Sequence, residues 1–581
     1  MRIKILWQII LSGDFLKLYI AKLEFTIICV NIKIKERKRG DSRMGIYLNP
    51  PADGFEDILK DDIYVDKTEL IAYTNQVLGT TRKLTCFSRP RRFGKSFAAQ
   101  MLVAYYSKGT KSEHLFKDLK IAKDIEEKSH YKQYLNQCDV LFWDMTWFIT
   151  NARNIEDTVK DLQRKIIFEL KREFTDCIEQ ETIALPEALL QISAVTGRKF
   201  FIIIDEWDAL FREAQTDQRL QEEYIQLLRG LFKGIQVSRF LSGAYMTGIL
   251  PIKKYGSHSA LNMFTEYSMT NPREMAEYFG FTEVEVKKLC ERFHRNFEET
   301  RAWYDGYELV TVDGEEKICY SMYSPKSVVD VMLSGVFDNY WNQTETYEAL
   351  KSYIKLNFDG LKDAIIRMLA GERVQVNIGT FSNDMTSFHG KDDVLTLLIH
   401  LGYLSYHWPD KTVTIPNKEV SQEYINAIST MDWAEVTRSV EDSKMLLEAL
   451  WNMDEKAVAA GIDKAHREIS ILQYNNENAL SCTINLAFYF AREYYTIIRE
   501  LPTGKGFADI CFIPRKIHLD KPAVIIELKW DKTAQGAIRQ IKEKQYVDAL
   551  DEYRGELLLV GINYDKGTKM HTCVIEQMCK E

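Results

Sequence analysis

No two of the ten cysteines in this 581-residue sequence are spaced as C-x-x-C. That excludes a zinc ribbon or a spaced disulfide framework, and reduced thiols in a cytoplasmic protein fit best. A long, clean apolar run is also missing. Ile5 to Leu11 is apolar, but Asp14, Lys17, Lys22 and Glu24 interrupt the residues beyond it, so no membrane span is expected. Arg2, Lys4 and that short run would suit a signal peptide, yet no small-residue cleavage site comes after them. Excess positive charge is absent too. The formal net charge is −8, so contact with nucleic acid must come from local basic patches. What remains is an ordinary globular composition, 46% hydrophobic and 28% charged. Its length implies several domains, since single cores rarely grow past roughly 250–300 residues.

Residues 1–43 differ from the rest. They end in the basic, hydrophilic segment KIKERKRGDSR, after which MGIYLNPPADGFEDILK, from Met44, reads as the beginning of an ordered domain. The first 43 residues are therefore expected to be an N-terminal extension outside the fold, with Met44 as an alternative start.

The stretch that organises the chain is KLTCFSRPRRFGKSFAAQMLVAYYS, residues 83–107. A short apolar strand enters a basic turn, and Gly94, Lys95 and Ser96 open an amphipathic helix. Free N–H groups at such a helix start face an anion. The nucleotide cradle is read as Arg91, Arg92, Phe93, Gly94, Lys95, Ser96 and Phe97. Lys95 would reach the β- and γ-phosphates, and the Ser96 hydroxyl would ligate Mg²⁺. One departure stands out: Arg89, followed by Pro90, occupies the position where G-x-x-x-x-G-K-S has its first glycine.

A second motif fits the first. KFFIIIDEWD, residues 199–208, is an apolar run typical of a strand buried on both faces, ending in carboxylates. Asp205 would hold the Mg²⁺ shell and Glu206 would polarise the attacking water. DVLFWDMTWFI (139–149) reads as another buried strand, with Asp144 either at a strand edge or in the site, and a helix comes next across 154–174. SRFLSGAYMTGIL (238–250) reads as a fourth core strand, where Thr247 would sense the γ-phosphate or be satisfied by backbone. IYVDKTELIAYTNQVL (63–78) combines a strand-like piece with a helix that Thr68 would cap. Strands alternating with helices imply a parallel sheet with ligands at the strand C-termini.

TNPREMAEYFGFTEVEVKKLCERF (270–293) suggests two helices divided at Gly280, suited to a lid. DVLTLLIHLGYLSYHWPDKTVTIP (393–416) puts a helix before two short strands joined at Pro409-Asp410, a winged-helix-like pattern. Lacking a dense basic recognition helix, it reads as a packing module. Residues 431–472 read as helical.

The C-terminal block carries a second chemistry. A helix (476–495) and a strand precede GKGFADICFIP (504–514) and PAVIIELKW (522–530); a helix (533–550) and the strand GELLLVGINY (555–564) come after them. Asp509, Glu527 and Lys529 form a D…E-x-K pattern. Strand alternation puts Glu527 and Lys529 on one face. Carboxylate oxygens suit Mg²⁺, which would generate hydroxide at a phosphodiester, and Lys529 adds positive charge. Lys532, Arg539, Lys542 and Lys544 could contact a phosphate backbone or form a solvated helix face.

YVDKTELI, SRPRRFGKS, FIIIDEWDAL, GAYMTGILPIKK and WYDGYEL (303–309) together resemble the bacterial AAA-ATPase-like family across roughly residues 44–330. Members often carry a C-terminal PD-(D/E)XK nuclease domain, which the last block resembles in element order and residues. The resemblance accounts for Arg89, since Arg takes that position in the family. It also implies Glu477 as an additional metal-binding acid, and Gln540 and Tyr546 as accessory residues, with Gln535 and Gln545 competing for the glutamine role. Ala508 stands where the family usually has proline.

The expected architecture is α/β. An extension (1–43) precedes a P-loop ATPase core (44–265), a helical lid (266–380), a winged-helix-like module (381–430), a helical connector (431–472) and a nuclease-like domain (473–581). Metal would be held by Ser96 and Asp205 in one site, and by Asp509, Glu527 and Glu477 in the other. The implied cofactors are ATP and Mg²⁺, and the implied partner is nucleic acid, with DNA favoured. A trans-acting arginine would imply a homo-oligomer, with Arg91, Arg92 and Arg229 as candidates. Two functions are compatible with these motifs: an ATP-driven nuclease, or a regulatory ATPase switch whose nuclease-like end binds DNA or a partner without cutting.

Overall fold

The computed structural model describes residues 45–123, 130–252, 261–314, 316–341, 346–382, 388–429, 434–468, 477–503, 506–515, 518–546 and 555–579. The expected extension lies outside them. Packing divides the chain into two compact units. The first comprises Met1–Cys86, Ser96–Thr247 and Ala260–Thr265; the second comprises Phe87–Lys95, Gly248–Ser259 and Glu266–Glu581. Among the described residues no helix is long and apolar enough to cross a membrane.

A five-stranded sheet contains β1 (Leu84–Ser88), β2 (Asp139–Asp144), β3 (Phe200–Asp205), β4 (Leu241–Gly248) and β5 (Thr265–Tyr267), in the order β2-β3-β4-β1-β5. β2, β3 and β4 are parallel, with Asp144 opposite Asp205 and Ile204 opposite Met246. Every residue of β3 is buried, as its unbroken apolar run requires of a strand covered on both faces. Helices Lys95–Tyr106, Thr158–Glu173, Leu185–Thr196 and Gln218–Phe232 connect the strands.

Several local expectations need correction. No strand forms at Ile63–Val65, because Asp66 turns the chain, accepting from the Thr68 amide at 2.9 Å and its hydroxyl at 2.6 Å. Thr68 is therefore spent on Asp66 and does not cap the helix Glu69–Val77. The strand around Thr247 is shorter than 238–250, since Val237–Phe240 is a helical turn.

The second unit holds three sheets. β6 (Phe281–Thr282), β7 (Tyr307–Asp313) and β8 (Glu316–Tyr323) pair antiparallel in the order β6-β8-β7. The expected helical lid thus contains a sheet, and 270–293 is a 3-10 helix (Arg273–Tyr278), β6 and one α-helix (Glu283–Phe293). Thr282 and Glu285 close a reciprocal capping box on that helix. β9 (Val374–Gln375), β10 (Ser405–His407) and β11 (Thr412–Thr414), ordered β10-β11-β9, match the winged-helix-like pattern with helix Lys391–Leu401. Helices Ala434–Trp451 and Glu455–Glu468 make the connector.

The C-terminal sheet runs β12 (Tyr495–Thr503), β13 (Gly506–Pro514), β14 (Ala523–Trp530), β15 (Glu556–Asp565) and β16 (Met570–Cys579), in that order. Only β14 and β15 are parallel. Helix Ala534–Glu543 makes their crossover, ending before the expected 550. The preceding helix is Glu477–Ala487, not 476–495, because a 3-10 turn at Tyr489–Glu493 leads directly into β12.

Candidate functional site

In the second unit, Ser88 Oγ donates to the Leu250 carbonyl at 3.0 Å, and the Arg89 amide donates to the Gly248 carbonyl at 3.1 Å. Arg89 is fully buried. Its guanidinium donates to the carbonyls of Ser88 (3.0 Å), Tyr267 (2.9 Å) and Met275 (3.2 Å). A glycine could not make these bonds, which explains why arginine stands at the first loop position. The turn then enters left-handed backbone at Arg92 (φ 69°) and Gly94 (φ 84°), the second of which favours glycine. Lys95 is 4% exposed and curls back, its Nζ 3.0 Å from the Pro90 carbonyl.

The flanking residues divide by role. Phe93 is buried against Tyr307, while Arg91 and Phe97 are exposed. Ser96 stands half-buried on the first turn of helix Lys95–Tyr106. Arg92 donates to the Tyr340 carbonyl at 2.9 Å, so it braces the loop as well as flanking it. Glu419 carries a charge near Arg92 and accepts from the Trp341 amide at 2.7 Å and Ser327 at 2.9 Å. Burial nonetheless pushes its carboxyl from 4.5 up to about 7. An acid raised on folding keeps its proton longer in the native state, so stability falls as pH rises from about 4.5 to about 7. Glu419→Gln should match the wild type at pH 5 and exceed it by about 3 kcal/mol at pH 8. Urea melts across that range check this, and parallel curves for the two proteins would refute it.

In the first unit, the carboxyl ends of β2, β3 and β4 collect Asp144, Asp205, Glu206 and Thr247. Thr247 is fully buried and donates its hydroxyl to Asp205 Oδ1, which also accepts the Glu206 amide at 3.1 Å. The hydroxyl thus donates to a carboxylate and also accepts the Glu206 backbone amide at 3.4 Å. Glu206 adopts left-handed φ (50°), an uncommon conformation for a non-glycine residue. Its carboxylate pairs with Arg212, which also holds Asp208 at 3.2 Å. Arg212 belongs to none of the sequence motifs; its one signal is the i, i+4 spacing from Asp208. Asp144 caps the helix Met145–Thr150, accepting from the Thr146 amide at 2.7 Å. Burial first, and then the charge of Asp205, raise its carboxyl.

The C-terminal trio comes together on β13 and β14, which pair antiparallel at Ile510 and Ile526. Asp509 Oδ2 accepts the Leu528 amide at 2.7 Å, and Lys529 Nζ lies 2.7 Å from Glu527 Oε1. Glu527 is 2% exposed and Lys529 9%. Glu527 Oε2 is buried with no hydrogen-bond partner among the described residues. Burial and the Asp509 charge raise its carboxyl to about 7 against the pull of Lys529. Gln540 Nε2 donates to the Tyr546 hydroxyl at 3.1 Å, and that phenol senses the charges of Glu527 and Asp509. Gln535 instead reaches Glu576, which separates it from Gln540. Gly561, opposite Glu527, permits close packing of the crossover helix: a Cβ there would lie 2.2 Å from the Ala534 carbonyl. Glu477 opens its helix, and its side chain lies outside the described residues. Of the helix cations, Lys542 pairs with Glu576.

Among the described residues no three His, Cys, Asp or Glu side chains form a ready metal cage. The orphaned, buried Glu527 oxygen beside Asp509 nevertheless fits a hard cation that takes one or two carboxylates plus water and phosphate oxygens. Asp205 suits the same kind of partial coordination.

Residues 52–257 match the family model described as predicted AAA-ATPase, and residues 475–573 match that of the PD-(D/E)XK nuclease superfamily. The chain carries an AAA-ATPase-like domain and a PD-(D/E)XK nuclease-superfamily domain. No curated protein matches it. Among solved structures it is similar to the Aeropyrum pernix ORC2 protein (ADPNP-ADP complexes), with 12% identity over 65% of this chain and 97% of that one and a TM-score of 0.27. It is similar also to C. elegans PCH-2, with 12% identity over 64% of this chain and 72% of that one and a TM-score of 0.20. Scores this low carry no structural argument. The AAA-ATPase-like match ends at 257 and the nuclease-superfamily match begins at 475, so the sheets β6–β8 and β9–β11 lie outside both.

Proposed function

We propose that the AAA-ATPase-like domain binds and hydrolyses ATP, and that this cycle controls Mg²⁺-dependent cleavage of nucleic acid by the nuclease-superfamily domain. The observation that carries the reading is Glu527 beside Asp509, with Oε1 held by Lys529 and Oε2 buried with no hydrogen-bond partner among the described residues. A carboxylate oxygen left without a donor in a buried site is costly unless a cation completes it. Mg²⁺ held there would supply Lewis acidity toward the phosphodiester and a hydroxide at neutral pH. The chain's own part is to fix the two acids on adjacent strands. Lys529 opposes the protonation that burial favours at Glu527, and would leave positive charge beside the scissile phosphate. Glu477 would add a third acid.

In the ATPase domain, Lys95 would leave the Pro90 carbonyl to meet phosphate oxygens, with Arg91 to Phe97 as the cradle and Ser96 and Asp205 toward Mg²⁺. Thr247 orients Asp205, and Glu206 orients the attacking water. Cytoplasmic location, DNA as the nucleic acid and a homo-oligomer contributing an arginine complete the proposal. Arg91 is the exposed candidate for that arginine, because Arg92 is bonded to Tyr340.

The test is cleavage of plasmid and single-stranded DNA with and without Mg²⁺ and ATP. Metal-dependent cutting whose rate changes with ATP is expected. Intact DNA under every condition, with ATP still hydrolysed, would favour the regulatory switch that binds DNA or a partner without cutting.

A further inference from the structure

Five cations, Arg301, Lys418, Arg492, Arg499 and Arg515, and four acids, Glu298, Asp305, Asp338 and Glu493, line one cavity of about 950 Å³ within the second unit. The Asp509–Glu527–Lys529 trio does not line it, and neither does the loop from Arg89 to Lys95. The fold brings these cations from separate places. Arg492 sits on the 3-10 turn Tyr489–Glu493 and Arg499 on β12. Arg515 lies just past β13, where its amide donates to the Tyr494 carbonyl at 3.0 Å. Lys418 opens the helix Lys418–Ser429.

Three of the five have carboxylates of their own. Arg301 lies 3.5 Å from Asp305, Lys418 2.6 Å from Glu493 and Arg499 3.3 Å from Glu372. Arg492 and Arg515 form no ion pair among the described residues. Arg492 lies 4.9 Å over the Tyr489 ring, and the nearby charge of Arg499 opposes its own. Arg515 Nε is buried with no hydrogen-bond partner among the described residues. Burial pushes both guanidinium groups down from their ordinary range, but arginine does not shed its proton to escape. Arg492 has the Tyr489 hydroxyl and Arg515 has the charges of Glu493 and Glu299 nearby, but neither has a direct ion pair among the described residues, and a buried guanidinium so placed is costly to hold. An anion in the cavity would offset that cost with charge-assisted, two-pronged hydrogen bonds.

The volume falls within the range of small-molecule sites. Tyr489 and Phe490 supply aromatic faces at the wall, and Gln422 and Asn426 supply amides able to read polar edges. We propose that this cavity binds a phosphorylated small molecule of nucleotide size, with its phosphate on Arg492 and Arg515 and its ring system against the aromatic wall. The site is separate from both catalytic centres, so it gives the chain an effector pocket at the start of the nuclease-like sheet.

The experiment uses the full chain carrying Lys95→Ala, which removes the phosphate-binding lysine of the ATP loop. Thermal melts and calorimetric titrations compare AMP with inorganic phosphate as probes. AMP is expected to raise the melting temperature and to bind at least about tenfold more tightly than phosphate. Arg492→Met and Arg515→Met should each weaken AMP binding by about tenfold or more, the loss of a charge-assisted contact. They should also raise the melting temperature without ligand, because each removes a desolvated cation that no direct ion pair holds among the described residues; a purely packing role would lower it. Should either methionine variant fail to fold, Arg515→Lys serves instead, keeping charge but losing the fork, and should still weaken AMP binding. AMP binding that is absent at millimolar concentration, unchanged by these substitutions, or no tighter than phosphate would overturn the proposal.

Discussion

Lys529→Ala should lower Mg²⁺-dependent DNA cleavage by about 10²-fold or more while ATP hydrolysis stays near the wild-type rate. Two effects act together. The substitution removes the cation 2.7 Å from Glu527 Oε1, in a place where Glu527 is only 2% exposed. Burial and the Asp509 charge already hold that carboxyl up at about 7 with Lys529 present. Without Lys529 its pKa rises further, so at neutral pH the group keeps its proton and accepts a metal poorly. The positive charge proposed to stand beside a developing phosphorane is lost at the same time. β14 is the central strand of the sheet, so the control is structural: far-UV spectra and ATP turnover must match the wild type. Chelation with EDTA should reproduce the loss in the unmodified protein. Cleavage by Lys529→Ala at the wild-type rate would remove Lys529 from the chemistry, and with it the reading of the D…E-x-K pattern as a nuclease centre.

Motifs on buried strands are legible in the sequence because burial on both faces leaves an unbroken apolar run, and the chemistry sits where that run stops. FFIIID and AVIIELKW both announce themselves this way, Asp205 closing one strand and Glu527 lying within the other. The hairpin β7–β8 cannot be seen by that route. The first half of β8 is exposed, so its residues carry little pattern, although Asp313-Gly314 at its tip is a strong turn signal. β16 is hidden for a related reason: an edge strand bonds on one side only, and its mixed polarity reflects that. Side-chain partners are less legible still. Thr68 has the residue type of a helix cap, but Asp66 captures its hydroxyl first. The Glu206–Arg212 pair depends on a left-handed residue at the end of β3, which no spacing rule encodes. Arg89 shows the reverse case. Resemblance alone explains its place in the sequence, and its three carbonyl contacts supply the physical reason.

Glu206→Gln and Lys95→Ala should separate turnover from binding in the ATPase domain. Glutamine is nearly isosteric with glutamate, and its carbonyl can still accept from Arg212, so the arginine keeps a partner and Asp208 keeps its 3.2 Å contact. Only the negative charge proposed to orient a water is removed. ATP affinity should therefore stay within about threefold of the wild type, while hydrolysis falls by about 10²-fold. Glu206→Ala would be a poorer probe, because it would also release Arg212, which is only 8% exposed. Lys95→Ala acts at the earlier step. Its Nζ bonds the Pro90 carbonyl, a neutral acceptor that triphosphate oxygens would outcompete. Losing that charge should weaken ATP binding by about 10- to 100-fold. Equilibrium binding of a fluorescent ATP analogue, paired with phosphate-release kinetics, distinguishes the two variants. Normal turnover by Glu206→Gln would show that its ion pair with Arg212 is purely structural, and the water-orienting role would pass to another acid at these strand ends, with Asp144 first to be tested.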